Sequence, residues 1–152
     1  DRSPSRGLGD VYKRQIQKLS TEESLELLAS QTFGRLVVRR KDDMDLFPLN
    51  YVVHEGSIYF RTAEGSKLFT VSLNHDVLFE ADFVDKDAQK AWSVIVKGDA
   101  EVLTSRADIN AADELPLKPW LPTLKYNYVR ITPNDVSGRH FHLGEEPNRY
   151  EV

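Results

Sequence analysis

The sequence predicts a mainly β (α+β) domain, an antiparallel barrel of six to seven strands with two to three short helices. Three observations lead there. Short runs rich in Val, Leu, Ile and aromatic residues recur along the 152 residues, separated by polar, Gly or Pro turn signals. The helical stretches between them are few and short, with no strand-helix-strand alternation of the kind that builds a parallel sheet. No internal repeat is present, and strands of this number and short spacing indicate a single closed or partly closed antiparallel barrel.

Ser20-Thr21-Glu22-Glu23 has the spacing of a capping box, and Leu25 and Leu28 follow at helical spacing, which predicts a short amphipathic helix to about Ser30. Residues 33–40 read as the first strand, stopped by Lys41-Asp42-Asp43. Residues 46–54 and 57–62 read as strands two and three around Glu55-Gly56, a two-residue hairpin turn. Leu68, Phe69, Val71 and Leu73 give residues 66–74 a helical reading after Gly65. Val77, Phe79, Ala81 and Phe83 alternate with Leu78, Glu80 and Asp82 as a strand, and residues 92–103 form the longest β run, with Gly98 as a bulge. Residues 106–115 read as a polar helix, and residues 116–122 as a Pro-punctuated excursion that holds Trp120. Residues 126–132 and 136–143 read as the last two strands, joined by a turn at Pro133-Asn134.

Residues 1–15 combine Pro, Gly and four basic residues without an apolar core, unlike a signal peptide, and read as a non-native or disordered leader. The domain is placed at residues 16–144 and a polar tail at 145–152. Setting aside Arg2, Arg6, Lys13, Arg14, Asp1 and Asp10 leaves 16 basic against 22 acidic residues, a net charge of about −6. Such a field repels nucleic acid, which weighs against Tyr51, Tyr59 and Phe60 as stacking platforms for a single strand. No apolar run approaches a membrane span, and the absence of cysteine removes disulfides and thiolate chemistry and suits a cytoplasmic address.

The stretch that carries chemistry runs from Asn50-Tyr51 to Phe60-Arg61-Thr62-Ala63-Glu64-Gly65-Ser66-Lys67, where a strand ends in Arg-Thr and a helix begins at Gly-Ser-Lys. A helix N-terminus offers unpaired N–H groups and the positive end of its dipole, Arg61 a two-pronged guanidinium, Ser66 a hydroxyl and Lys67 a compact charge. Four donors could converge on one phosphate. The same spacing also fits a plain helix cap flanked by solvated cations. His140 and His142 alternate on the last strand, but no third ligand stands at short range and no metal is assigned.

From about Leu19 to Leu143 the chain resembles the pyridoxamine 5′-phosphate oxidase-like, flavin-binding split-barrel family. The matching pieces are Phe33-Gly34-Arg35-Leu36, Pro48-Leu49-Asn50-Tyr51-Val52-Val53, Ile58-Tyr59-Phe60-Arg61-Thr62, Gly65-Ser66-Lys67, Trp92-Ser93-Val94 and Pro119-Trp120. The resemblance implies a Greek-key split barrel that binds FMN, or alternatively the deazaflavin F420. By position, Arg61, Ser66 and Lys67 would hold the cofactor phosphate, with Thr62 beside the phosphate or ribityl chain. Asn50 and Tyr51 would flank the isoalloxazine. The resemblance further implies a homodimer in which Trp92 and Ser93 reach the cofactor from the partner chain, while Trp120 covers the side of a small-molecule substrate. Read without it, Trp92 is better taken as a half-buried strand aromatic, and the Tyr51 ring, which shares a strand face with Leu49 and Val53, reads as core.

Pyridoxamine phosphate oxidases proper end in an Arg-rich, Trp-containing segment, whereas this chain runs from His140-Phe141-His142-Leu143-Gly144 into the polar tail. Oxidation of a B6 vitamer is therefore not the expected reaction. A flavin-dependent oxidoreductase of unassigned substrate is expected, with a non-catalytic flavin carrier or sensor as the alternative. Since a flavin can do the redox chemistry itself, no catalytic residue is assigned.

Overall fold

The computed structural model describes residues 16–40, 42–63, 75–117 and 126–144. In chain order these form β1 (Ile16–Leu19), α1 (Thr21–Ala29), β2 (Phe33–Arg40), β3 (Asp43–Asn50), β4 (Val52–His54), β5 (Ser57–Ala63), β6 (Asp76–Asp85), β7 (Lys90–Val102), α2 (Arg106–Asp113) and β8 (Tyr126–His142). All strand pairs are antiparallel, in the order β3-β2-β6-β7-β8-β5-β4, with β1 also on β8. β3 and β4 stand at opposite ends of that order, yet only Tyr51 separates them in the chain. The sheet therefore curls until its edges approach, and β3 touches β5. The split barrel expected from the resemblance is the architecture observed.

Local signals set the turns and caps. Ser20 Oγ accepts from Glu23 N at 3.1 Å while Ser20 N donates to Glu23 Oε1 at 3.2 Å, completing the capping box. Glu55 and Gly56 both have positive φ, 50° and 78°, as the two central residues of a type I′ hairpin require. Among the described residues three readings change. β1 was not expected as a strand. Residues 46–54 are two strands, broken at Tyr51 where the barrel closes. The last two expected strands are one 17-residue strand, β8. Pro133-Asn134 is not a turn: Lys97 pairs with Asp135 and Gly98 with Pro133, so Asn134 is the extra residue of a bulge. Gly98 makes the bulge possible, since a Cβ there would lie 2.5 Å from Thr132 O. The helix read at residues 66–74 and the excursion beyond Leu117 lie outside the described residues.

One edge of β8 pairs with β7 along nearly its whole length; the other is shared by β5 at residues 126–131 and β1 at residues 138–141. Strand alternation sends Leu36, Ile58, Phe60, Phe79, Val94, Val96, Val129 and Ile131 into the barrel, where Leu28 of α1 joins them. A smaller core of Leu103, Ala112, Leu117 and Tyr128 lies under α2, on the outer face of β5 and β8. No helix among the described residues is long and apolar enough to cross a membrane.

Candidate functional site

Arg61 sits near the C-terminal end of β5, paired in register with Tyr128 of β8. Alternation along β5 turns Phe60 and Thr62 inward and Arg61 outward. Its guanidinium carbon lies 3.5 Å from the centroid of the Tyr126 ring, and Nη1 donates to the Leu117 carbonyl at 3.5 Å. Among the described residues no carboxylate pairs with Arg61, and its buried Nε has no hydrogen-bond partner. A half-buried cation with an unmatched buried donor is suited to take an anion.

Tyr126 is in turn packed edge-on against Tyr128, with ring centroids 5.4 Å apart at 81°. The Tyr128 hydroxyl donates to Asp113 Oδ1 of α2 at 2.6 Å. Burial, then the Asp113 contact, raises the Tyr128 pKa, so the group remains a hydroxyl donor across the physiological range. Sequence reasoning missed Tyr126, Tyr128 and Asp113. The alternation Tyr126-Asn127-Tyr128 places two rings on one strand face, but only the β5–β8 register reveals that Arg61 lies on that face with them.

The other expected site residues divide by face. Thr62 is 3% exposed and faces the barrel interior, away from the Arg61 guanidinium. Tyr51 is 2% exposed, packs edge-on against Phe79 at 4.8 Å, and donates its hydroxyl to Leu28 O at 2.5 Å, so its side chain belongs to the core. Asn50 ends β3 on the outer face, opposite Phe33. Trp92 is 8% exposed in the core cluster, whereas Ser93 is half-buried on the outer face between Asp82 and Arg139. The partner-side contact assigned to this pair therefore divides, with only the Ser93 side chain on an outward surface. Ser66, Lys67 and Trp120 lie outside the described residues.

Beside Ser93, Arg35 donates to Glu80 Oε1 from Nε at 2.8 Å and to Asp82 Oδ2 from Nη2 at 3.0 Å. Burial, followed by the hydrogen bond with Asp82, lifts the Glu80 pKa above 4.5, against the opposing pull of Arg35. Within one chain the two halves of the expected site lie toward different ends of β8. Arg61 pairs with Tyr128 and Ser93 with Arg139, eleven residues along β8 and roughly 36 Å of strand at about 3.3 Å per residue.

Comparison with known proteins agrees with this architecture. A Corynebacterium glutamicum protein, named as a candidate pyridoxamine 5′-phosphate oxidase, has a crystal structure that matches with a TM-score of 0.81 at 57% identity, covering 87% of this chain and 97% of that one. An FAD-binding protein from Mycobacterium smegmatis matches with a TM-score of 0.75 at 41% identity, over 84% of this chain and all of the other. An uncharacterised Mycobacterium tuberculosis protein is 46% identical over 101 residues, which are 66% of this chain and 90% of that protein. The sequence profile of the pyridoxamine 5′-phosphate oxidase family matches residues 20–140, from the α1 cap to two residues short of the end of β8, and the chain belongs to that family.

Proposed function

We propose that this protein is a flavin-dependent oxidoreductase that grips the ribityl phosphate of its cofactor with Arg61 and shares each cofactor site between two copies of the chain. The observation that carries the reading is the state of Arg61: held in place, paired with no acid among the described residues, and retaining an unmatched buried donor. A phosphate oxygen pair suits such a guanidinium better than any neutral partner. Ser66 and Lys67 follow closely in the chain and would add a hydroxyl and a second positive charge. The similar M. smegmatis protein binds FAD, which contains the same flavin ribityl phosphate as FMN. FMN is the minimal ligand for this site, and FAD is favoured over F420 by that likeness.

A bound flavin supplies the hydride or electron transfer. The chain supplies position. Arg61 anchors the phosphate end, and Asn50, at the end of β3, stands on the outer face where a ring system can lie. The distance along β8 between Arg61 and Ser93 favours assembly of each site from two subunits, with Ser93 reaching the cofactor held by its partner. The proposed address is the cytoplasm, which the absence of cysteine suits, and the proposed substrate is a small molecule.

The test is a visible spectrum of the purified protein, followed by titration with FMN, FAD and riboflavin. Arg61→Ala is expected to weaken FMN binding by about 1.5–3 kcal/mol, roughly 10- to 150-fold, because it removes charge-assisted hydrogen bonds. Riboflavin lacks the phosphate and should bind weakly to both forms. Equal FMN and riboflavin curves on the wild type would sink the assignment. A bound flavin that neither nicotinamide nor deazaflavin donors can reduce would identify a carrier in place of an enzyme.

A further inference from the structure

An arginine that must meet a phosphate has to be held by something that does not compete for its donors. A carboxylate would hold it, but would occupy the same N–H edge that the phosphate needs. An aromatic face holds the cation from above through its quadrupole and leaves the in-plane N–H groups free. That second arrangement is the one at Arg61, with the guanidinium carbon 3.5 Å from the Tyr126 ring centroid, while Nη1 also donates to the Leu117 carbonyl. The ring is itself fixed: Tyr128 meets it edge-on, and Asp113 of α2 accepts from the Tyr128 hydroxyl at 2.6 Å. The mini-core of Leu103, Ala112 and Leu117 packs around Tyr128. A line of contacts thus runs from α2 through β8 to the guanidinium on β5.

We propose that Tyr126 is a positioning residue for Arg61, its ring presenting the guanidinium edge to a phosphate, so that the chain selects a phosphorylated flavin over its dephosphorylated form. This rests on the flavin-phosphate reading above. It adds a residue that need not touch the ligand and a physical origin for the selectivity. Fixing a long side chain before binding spares the rotamer entropy that an unrestrained arginine would lose on meeting the anion.

The experiment compares dissociation constants for FMN and riboflavin in the full chain carrying Tyr126→Leu, Tyr126→Phe or Arg61→Ala, and in the Arg61→Ala/Tyr126→Leu double variant. Loss of the ring in Tyr126→Leu is expected to weaken FMN about 2- to 12-fold, the cost of ordering a long side chain that is no longer held before binding, and to leave riboflavin unchanged. Tyr126→Phe keeps the π face and should restore wild-type selectivity. In the Arg61→Ala background the Leu change should cost FMN nothing further, because the group it positions is gone. Should Tyr126→Leu fail to fold, Tyr126→Met, which fills irregular gaps without a ring, gives the same reading. Equal weakening of FMN and riboflavin, or an undiminished effect of Tyr126→Leu in the Arg61→Ala background, overturns the proposal and leaves the phosphate grip standing. An Arg61→Ala protein that binds FMN as the wild type does overturns the grip and the proposal together.

Discussion

Arg35 and Arg61 are both half-buried arginines on the outer face of the barrel, and their surroundings give them opposite characters. Arg35 spends its donors on Glu80 and Asp82, whereas Arg61 lies on a ring and meets no acid among the described residues. Arg35 is thereby a structural cation, and the carboxylates around it have a measurable signature. Burial and Asp82 hold the Glu80 pKa above 4.5. The folded protein therefore binds a proton more readily than the unfolded chain between 4.5 and the folded midpoint, and stability falls as pH rises through that window. Carboxyl NMR titration should find Glu80 above 4.5, moving down in Asp82→Asn and further up in Arg35→Met. A Glu80 midpoint below 4.5 would mean that the ion pair with Arg35 outweighs burial, contrary to this account.

At the scale of elements, the close approach of α1 to β8 is set by one glycine. A Cβ on Gly138 would collide with Ser24 Oγ and come within 2.9 Å of Ser24 Cβ, and Ser24 is fully buried. Gly138→Ala should therefore cost about 1–3 kcal/mol in urea unfolding, the usual toll of overpacking, and Ser24→Ala should relieve part of it. Strictly additive effects would show that the two positions do not press on each other. What could be read from sequence follows the same division between local and tertiary causes. The α1 capping box, the Glu55-Gly56 turn and the irregularity at Gly98 are written within a few residues, and each was legible. β1, with the sequence IQKL, has no pattern of its own and is a strand because β8 offers it an edge. Pro133-Asn134 carries a turn signal that continuous pairing with β7 converts into a bulge. Arg61 was legible as a candidate cation, but its partner Tyr126 sits two positions from Tyr128, diagonally across a pairing that sequence alone does not reveal.

For the whole molecule, the outward position of Ser93 and its distance from Arg61 along β8 turn the question of the site into one of assembly. The outer face around Ser93 also exposes apolar side chains: Ile95 is 39% exposed two positions along β7, and Leu46 and Met44 lie farther across on β3. A twofold axis that covers both this face and the surface around Arg61 would bring a second copy's Ser93 toward this chain's Arg61 and would create two equal sites at once. If the cofactor binds only that dimer, saturating FMN must draw monomers into dimers, and FMN affinity must fall as the protein is diluted. Ile95→Glu places a charge on the shared face and should weaken dimerisation and FMN binding together. Arg61→Ala should weaken FMN binding while leaving dimerisation without ligand intact. Sedimentation velocity across a dilution series, with and without FMN, separates the two effects. A monomer that binds FMN with undiminished affinity at the lowest concentration would show that Arg61 acts without Ser93 of the partner and that each barrel holds its cofactor alone.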